Sequence, residues 1–167
     1  DAESMEIVED VLANVINREI VEMIQKLGGK ARGFSGREVF RCRQLDPALG
    51  HVGEVTEVDV DRLRKCLRSQ VTPVISPLGQ GADGCAYNIN ADVAAAKLAM
   101  AIGARRLVFL SDVPGLLRDP RDPASLLSHL AVAEVDALKA AGVIDKGMIP
   151  KDRKSTRLNS SHLVISY

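Results

Sequence analysis

The 167-residue sequence contains no tryptophan, and aromatic residues make up only 3% of it. Recognition of single-stranded nucleic acid rests largely on bases stacked against aromatic rings, so this scarcity argues against it. Charge of neither sign prevails: 22 Lys and Arg stand against 22 Asp and Glu. That balance offers no field for a nucleic-acid or membrane partner. No apolar run approaches the roughly 20 residues needed to cross a bilayer. Cysteine is also scarce. Cys42, Cys66 and Cys85 are widely spaced and odd in number, and no C-x-x-C pattern points to zinc or redox chemistry. They are expected to be buried or half-buried free thiols in a reducing cytoplasm. His51 and His129 have no second ligand at metal-site spacing and are assigned to structure or surface, and no residue is assigned to a resident metal. What remains, 46% hydrophobic and 26% charged, is the balance of an ordinary globular chain of single-domain length.

The richest segment begins at Val71-Thr72-Pro73-Val74-Ile75, a short run with the character of a buried strand. Ser76-Pro77-Leu78-Gly79-Gln80-Gly81-Ala82-Asp83-Gly84 follows, with three glycines and a proline predicting a loop that lets backbone approach a ligand. In Tyr87-Asn88-Ile89-Asn90-Ala91-Asp92, Asn90 suits the N-cap of a helix over 91–102, and Asp92 falls in its first turn, where the helix dipole favours negative charge. Alanines thin that helix, and Gly103 suits its C-terminal stop. Arg106-Leu107-Val108-Phe109-Leu110 predicts the next strand, with Ser111-Asp112 at its carboxyl end, where ligands of open α/β sheets bind. Any one of these polar residues is accounted for by a cap or a turn. Asn88, Asn90 and Asp92 together exceed what capping requires.

Upstream, Met5, Val8, Leu12, Val15, Ile16, Ile20, Ile24 and Leu27 recur at helical spacing and predict one amphipathic helix over 2–27, ended by Gly28-Gly29. A weak strand follows at 31–34. Alternation over 39–43 and 52–58 predicts a β-hairpin, and Asp59 should cap a helix carrying Val60, Leu63 and Leu67. A last helix is predicted over 132–141, ending at Gly142.

These residues resemble the amino acid kinase family. Pro73-Val74-Ile75-Ser76-Pro77-Leu78-Gly79, Tyr87-Asn88-Ile89-Asn90-Ala91-Asp92, Leu110-Ser111-Asp112-Val113-Pro114-Gly115-Leu116-Leu117 and Gly147-Met148-Ile149-Pro150-Lys151 stand in the family's order and spacing. The resemblance covers 1–151. It implies an α/β fold, a three-layer αβα sandwich with a mainly parallel sheet, incomplete here and carrying a β-hairpin insertion. It also implies transfer of a phosphoryl group from ATP, with Mg2+, to the side-chain carboxylate of N-acetyl-L-glutamate, a step of arginine biosynthesis. By motif, Lys151 and Asp92 resemble the catalytic pair, the lysine stabilising the transferring group and the carboxylate orienting lysines. Asn88 resembles the substrate-binding residue. Ser111, Asp112, Val113, Gly115, Leu116 and Leu117, with Val143, Ile144, Asp145 and Gly147, resemble the nucleotide site. Phosphoryl transfer needs positioning and charge neutralisation more than covalent help, and these residue types can supply both. Lys151 alone would pass for a surface lysine; its place after Gly-Met-Ile-Pro sets it apart. The resemblance further implies a homo-oligomer, the 2–27 helix helping to form the interface, though a core-facing stripe is equally open. Phe34-Ser35-Gly36-Arg37-Glu38 departs from the family's usual Ser-Gly-Lys-Asp-Gly. A kinase acting on glutamate, aspartate or carbamate, and a non-catalytic nucleotide- or amino-acid-binding regulator, stay open as alternatives.

The family's opening glycine-rich loop with its lysine, and an arginine that grips the substrate carboxylate, have no counterpart in the sequence. Residues 152–167 look like the in-frame translation of a sequencing adapter. The expected organisation is a partial kinase domain over 1–151 with a non-native tail over 152–167, inactive by itself, so His162 and Arg153-Lys154 are given no role.

Overall fold

The structure, a computed structural model, describes residues 2–110, 117–119 and 121–141. The N-terminal helical stretch comes in three pieces: α1 (Ala2–Glu9), a π-helical segment (Asp10–Ile16) and α2 (Asn17–Lys26). One continuous amphipathic helix was expected. A π segment holds more residues per turn than an α-helix, so an apolar stripe spaced for 3.6 residues changes face across it. The outcome matches: Met5 is buried, Val8, Leu12 and Ile24 are half-buried, and Val15, Ile16, Ile20 and Leu27 are exposed. Gly28 ends the helix with φ +85, and its N–H donates to the Gln25 carbonyl at 2.9 Å.

β1 (Ala31–Phe34) pairs in parallel with β4 (Thr72–Ile75), in register from Ala31 opposite Thr72 to Phe34 opposite Ile75. α2 lies on this pair. Its Asn17 is buried and donates from Nδ2 to the Val74 carbonyl at 3.0 Å and the Phe34 carbonyl at 3.4 Å, tying the helix to both strands. Gly33 makes the approach possible, because a Cβ there would lie 2.2 Å from Asn17 Oδ1.

β2 (Phe40–Gln44) and β3 (Val52–Val58) form the expected antiparallel hairpin. β5 (Leu78–Gly81) and β6 (Ala86–Ile89) form another. Parallel pairing of β2 with β5 and of β3 with β6 joins the hairpins into a closed barrel in the order β2-β3-β6-β5. The predicted loop over 76–84 is therefore a strand through half its length. Its glycines serve the barrel: a Cβ on Gly79 would lie 2.7 Å from Cys42 Sγ, and one on Gly81 would lie 2.6 Å from Tyr87 Cε2. Glycine inside a strand often marks such close approach. Three of the five described strand pairings are parallel, in line with the α/β class.

α3 (Asp61–Arg68) begins where Asp59 Oδ1 accepts from the Asp61 N–H at 3.1 Å, and it sends Leu63 and Cys66 into a core with Phe34, Phe40, Val55 and Ile89. α4 (Ala91–Ile102) stops at Gly103, whose φ is +69. The chain divides into two compact units, 1–102 and 103–167. In the second, residues 106–110 form no ladder among the described residues, although a strand was predicted; Leu110 is 97% exposed. β propensity becomes a strand only where a neighbouring edge supplies hydrogen bonds. Leu117 makes an isolated antiparallel bridge with Leu126, and α5 (Val132–Ala140) opens with the Glu134 carboxylate accepting from the Ala131 N–H at 2.8 Å. Among the described residues no helix is long and apolar enough to cross a membrane.

Candidate functional site

Asn88 owes its position to β6. The strand is held by β3 on one side, with Val52 opposite Asn88, and by β5 on the other, with Leu78 opposite Asn88. The Asn88 N–H donates to the His51 carbonyl at 2.9 Å, and the Ile89 N–H to the Pro77 carbonyl at 3.1 Å. Side chains alternate along a strand, so burying Tyr87 and Ile89 turns Asn88 outward. Its amide has no hydrogen-bond partner among the described residues.

Asn90 behaves as expected. Its Oδ1 accepts from the Val93 N–H at 3.0 Å, and its carbonyl accepts from the Ala94 N–H at 2.9 Å. The cap thus consumes Asn90 and leaves Asp92, one residue into the first turn of α4, exposed. The strand-to-helix junction presents an outward amide and an outward carboxylate four residues apart, separated by the residue that fixes the bend. Beside this junction lies a cavity of about 140 Å3, lined by Phe40, Ile75, Ser76, Pro77, Ala91, Ala94, Ala95 and Leu98.

Ser76 links the site to the loop that departs from the family pattern. Its Oγ accepts from the Gly36 N–H at 3.0 Å. Gly36 is buried so tightly that a Cβ would lie 2.2 Å from the carbonyl oxygens of both Ser76 and Leu78. Around it, Ser35 and Glu38 form a reciprocal cap, and Arg37 donates to Glu9 at 2.8 and 2.9 Å, to Gln80 at 2.7 Å and to the Gly84 carbonyl at 3.2 Å. Nothing in the local sequence flagged Arg37, because its partners lie 28 to 47 residues away. Lys97 on α4 was also missed; its Nζ donates to the Val55 carbonyl, and its stem is half-buried.

Tyr87 Oη donates to Asp83 Oδ2 at 2.7 Å, and Asp83 Oδ1 also accepts from the Cys85 N–H at 3.0 Å. The bond to the Asp83 carboxylate, reinforced by burial, pushes the Tyr87 phenol up to about 12. The same bond, with the Cys85 N–H, holds the Asp83 carboxyl below its usual range. Burial pushes the Cys42 thiol up to about 11. Cys42 and Cys66 are buried, whereas Cys85 is exposed, contrary to the expectation for all three. His51 is half-buried, with its ring centroid 5.5 Å from that of Tyr87, and His129 is exposed.

Of the candidate catalytic, substrate-binding and nucleotide-binding residues, Asn88, Asp92 and Leu117 are described. Ser111, Asp112, Val113, Gly115, Leu116, Val143, Ile144, Asp145, Gly147 and Lys151 lie outside the described residues, as does the segment 152–167.

The chain is similar to the acetylglutamate kinase of Syntrophomonas wolfei, with 46% identity over 90% of this chain and 54% of that protein. It is 42% identical to that of Heliobacterium modesticaldum over 90% of this chain and 56% of the relative. With that of Clostridioides difficile it shares 41% identity over 98% of this chain and 60% of the relative. The chain therefore spans a little over half the length of these curated relatives. Among solved structures it is similar to smu.665 from Streptococcus mutans, with a TM-score of 0.77 and 26% identity over 89% of this chain and 60% of that one. Its fold also matches N-acetylglutamate synthase from Neisseria gonorrhoeae, at a TM-score of 0.69 and 23% identity over 89% of this chain and 36% of that one. The sequence profile of the amino acid kinase family matches residues 1–164, and with these relatives and this fold the chain belongs to that family.

Proposed function

We propose that the protein to which this chain belongs is an acetylglutamate kinase, transferring the γ-phosphoryl group of ATP, with Mg2+, to the side-chain carboxylate of N-acetyl-L-glutamate in arginine biosynthesis. The observation that carries this reading is the β6–α4 junction, where an outward Asn88 and an outward Asp92 flank a committed cap, in a chain 41–46% identical to three acetylglutamate kinases. Asn88 offers both a donor and an acceptor to the amino acid. Asp92, an exposed side-chain carboxyl group at the start of α4, can orient cationic side chains. Lys151 would neutralise charge on the transferring group, and the residues 111–117 and 143–147 named above would hold the nucleotide. Transfer of this kind runs on positioning and electrostatic stabilisation, so no covalent intermediate on the protein is required.

The exposed apolar residues of the N-terminal helices, among them Ile7, Val11, Ile20 and Met23, favour the homo-oligomer that the resemblance implies. A coupled ADP-release assay on the gene extended to the length of its relatives tests the reaction. ADP release with N-acetyl-L-glutamate, and little with glutamate, aspartate or carbamate, is the expected result. Release with one of the latter and none with N-acetyl-L-glutamate would overturn the substrate assignment.

A further inference from the structure

Tyr87 and Asp83 have no part in the contacts assigned to substrate, yet they form the most heavily tied feature next to Asn88. We propose that the Asp83–Tyr87 pair is a brace that sets the position of the Asn88 amide, making both positioning residues for the amino acid substrate. The proposal rests on Asn88 being the substrate-binding amide.

The β5–β6 turn is held from several directions. The Gly84 N–H donates to the Gly81 carbonyl at 3.1 Å, the Gly81 N–H donates to the Cys85 carbonyl at 2.9 Å, and Arg37 donates to the Gly84 carbonyl at 3.2 Å. Arg37 is itself anchored by both Glu9 oxygens and by Gln80. Asp83 stands on this turn and takes the Tyr87 hydroxyl at 2.7 Å, a bond in the short range expected when the acceptor is charged. Tyr87 immediately precedes Asn88. Its ring lies over Gly81 and its Cβ over Gly53, so near that a Cβ on Gly53 would fall 2.8 Å from Tyr87 Cβ. With the ring against Gly81, the Cβ against Gly53 and the hydroxyl tethered to Asp83, twisting of β6 about its axis is opposed at three points. A twist is the motion that would swing the outward amide away from the substrate.

Tyr87→Phe keeps the ring and its packing and removes only the tether. In the enzyme at the full length of its relatives, the KM for N-acetyl-L-glutamate should rise roughly tenfold, a modest share of what misplacing a positioned group can cost. The KM for ATP should stay within about twofold. Asp83→Ala should do the same, and the double variant should be no worse than the poorer single one, because both remove one interaction. Thermal melting of each variant reports folding, and Tyr87→Phe alone decides the matter where Asp83→Ala fails to fold. An N-acetyl-L-glutamate KM within about twofold of the parent in folded Tyr87→Phe overturns the proposal. So does an equal rise in both KM values, which would signal general loosening. Asn88→Ala run in parallel separates the two layers. If it too leaves the amino acid KM unmoved, the role of Asn88 is wrong and the brace falls with it; if it raises that KM while Tyr87→Phe does not, only the brace falls.

Discussion

At the scale of single residues, Tyr87 and Asp83 give the brace a defined pH window. Asp83 is held below the carboxylate value of 3.8, so its favourable contribution is complete above that value and is lost as pH falls through the lower folded value. Tyr87 is raised from 10.0 to about 12, so its contribution is complete below 10.0 and is lost as pH rises through about 12. The brace should therefore be constant across neutral pH and fail only at the extremes. Alkaline titration followed by phenolate absorbance checks this. The sequence holds two tyrosines, and the phenol of Tyr87 should ionise near 12 in the native protein and move back toward 10.0 in Asp83→Asn. Unaltered titration in that variant would mean that the carboxylate is not the cause.

At the scale of elements, the seating of α2 on β1 and β4 depends on one buried amide. Asn17→Leu fills a similar volume but gives the Val74 and Phe34 carbonyls no donor. The expected loss is about 1–3 kcal/mol, the cost of leaving a buried polar group unmet. Asn17→Asp should lose more, since it turns a carboxylate toward two carbonyls. Urea unfolding measures both, and a loss for Asn17→Leu under about 0.5 kcal/mol, the ordinary scatter of a surface change, would contradict the seating role. Helix ends of this kind were legible in the sequence because their signals are local: Asp59, Asn90 and Gly103 act within four residues. The β2–β3 hairpin was legible for the same reason. The barrel was not, because alternation shows that a strand has two faces without naming its neighbours. Gly79 and Gly81 suggested a ligand loop, whereas Cys42 and Tyr87 occupy the space the glycines leave. At the candidate site, Asn88 and Asp92 were candidates by motif, whereas the contacts of Arg37, Ser76 and Asp83 are tertiary, and no local spacing reveals them.

At the scale of the molecule, a closed barrel and a two-stranded parallel sheet share one core in the unit 1–102. Each barrel strand is paired on both sides, whereas most residues of α1 are exposed or half-buried, Ile7 among the exposed. Hydrogen exchange should therefore be slowest at the bonded amides of β2, β3 and β6 and faster along α1, since opening a doubly paired strand breaks two ladders. Protection greatest in α1 would refute that ordering. The barrel has one more consequence, which concerns length rather than residue type. The strand that carries Asn88 has parity: Tyr87 and Ile89 face in, Asn88 faces out, and both ends of β6 are committed, one by the Asp83 turn and the other by the Asn90 cap. Substitutions there act by degrees. One residue gained or lost within β6, Ala86–Ile89, instead exchanges inside for outside along part of the strand, turning a core side chain toward water or an outward one toward the core. In this family member, tolerance of insertions and deletions should collapse across a segment where tolerance of many substitutions persists.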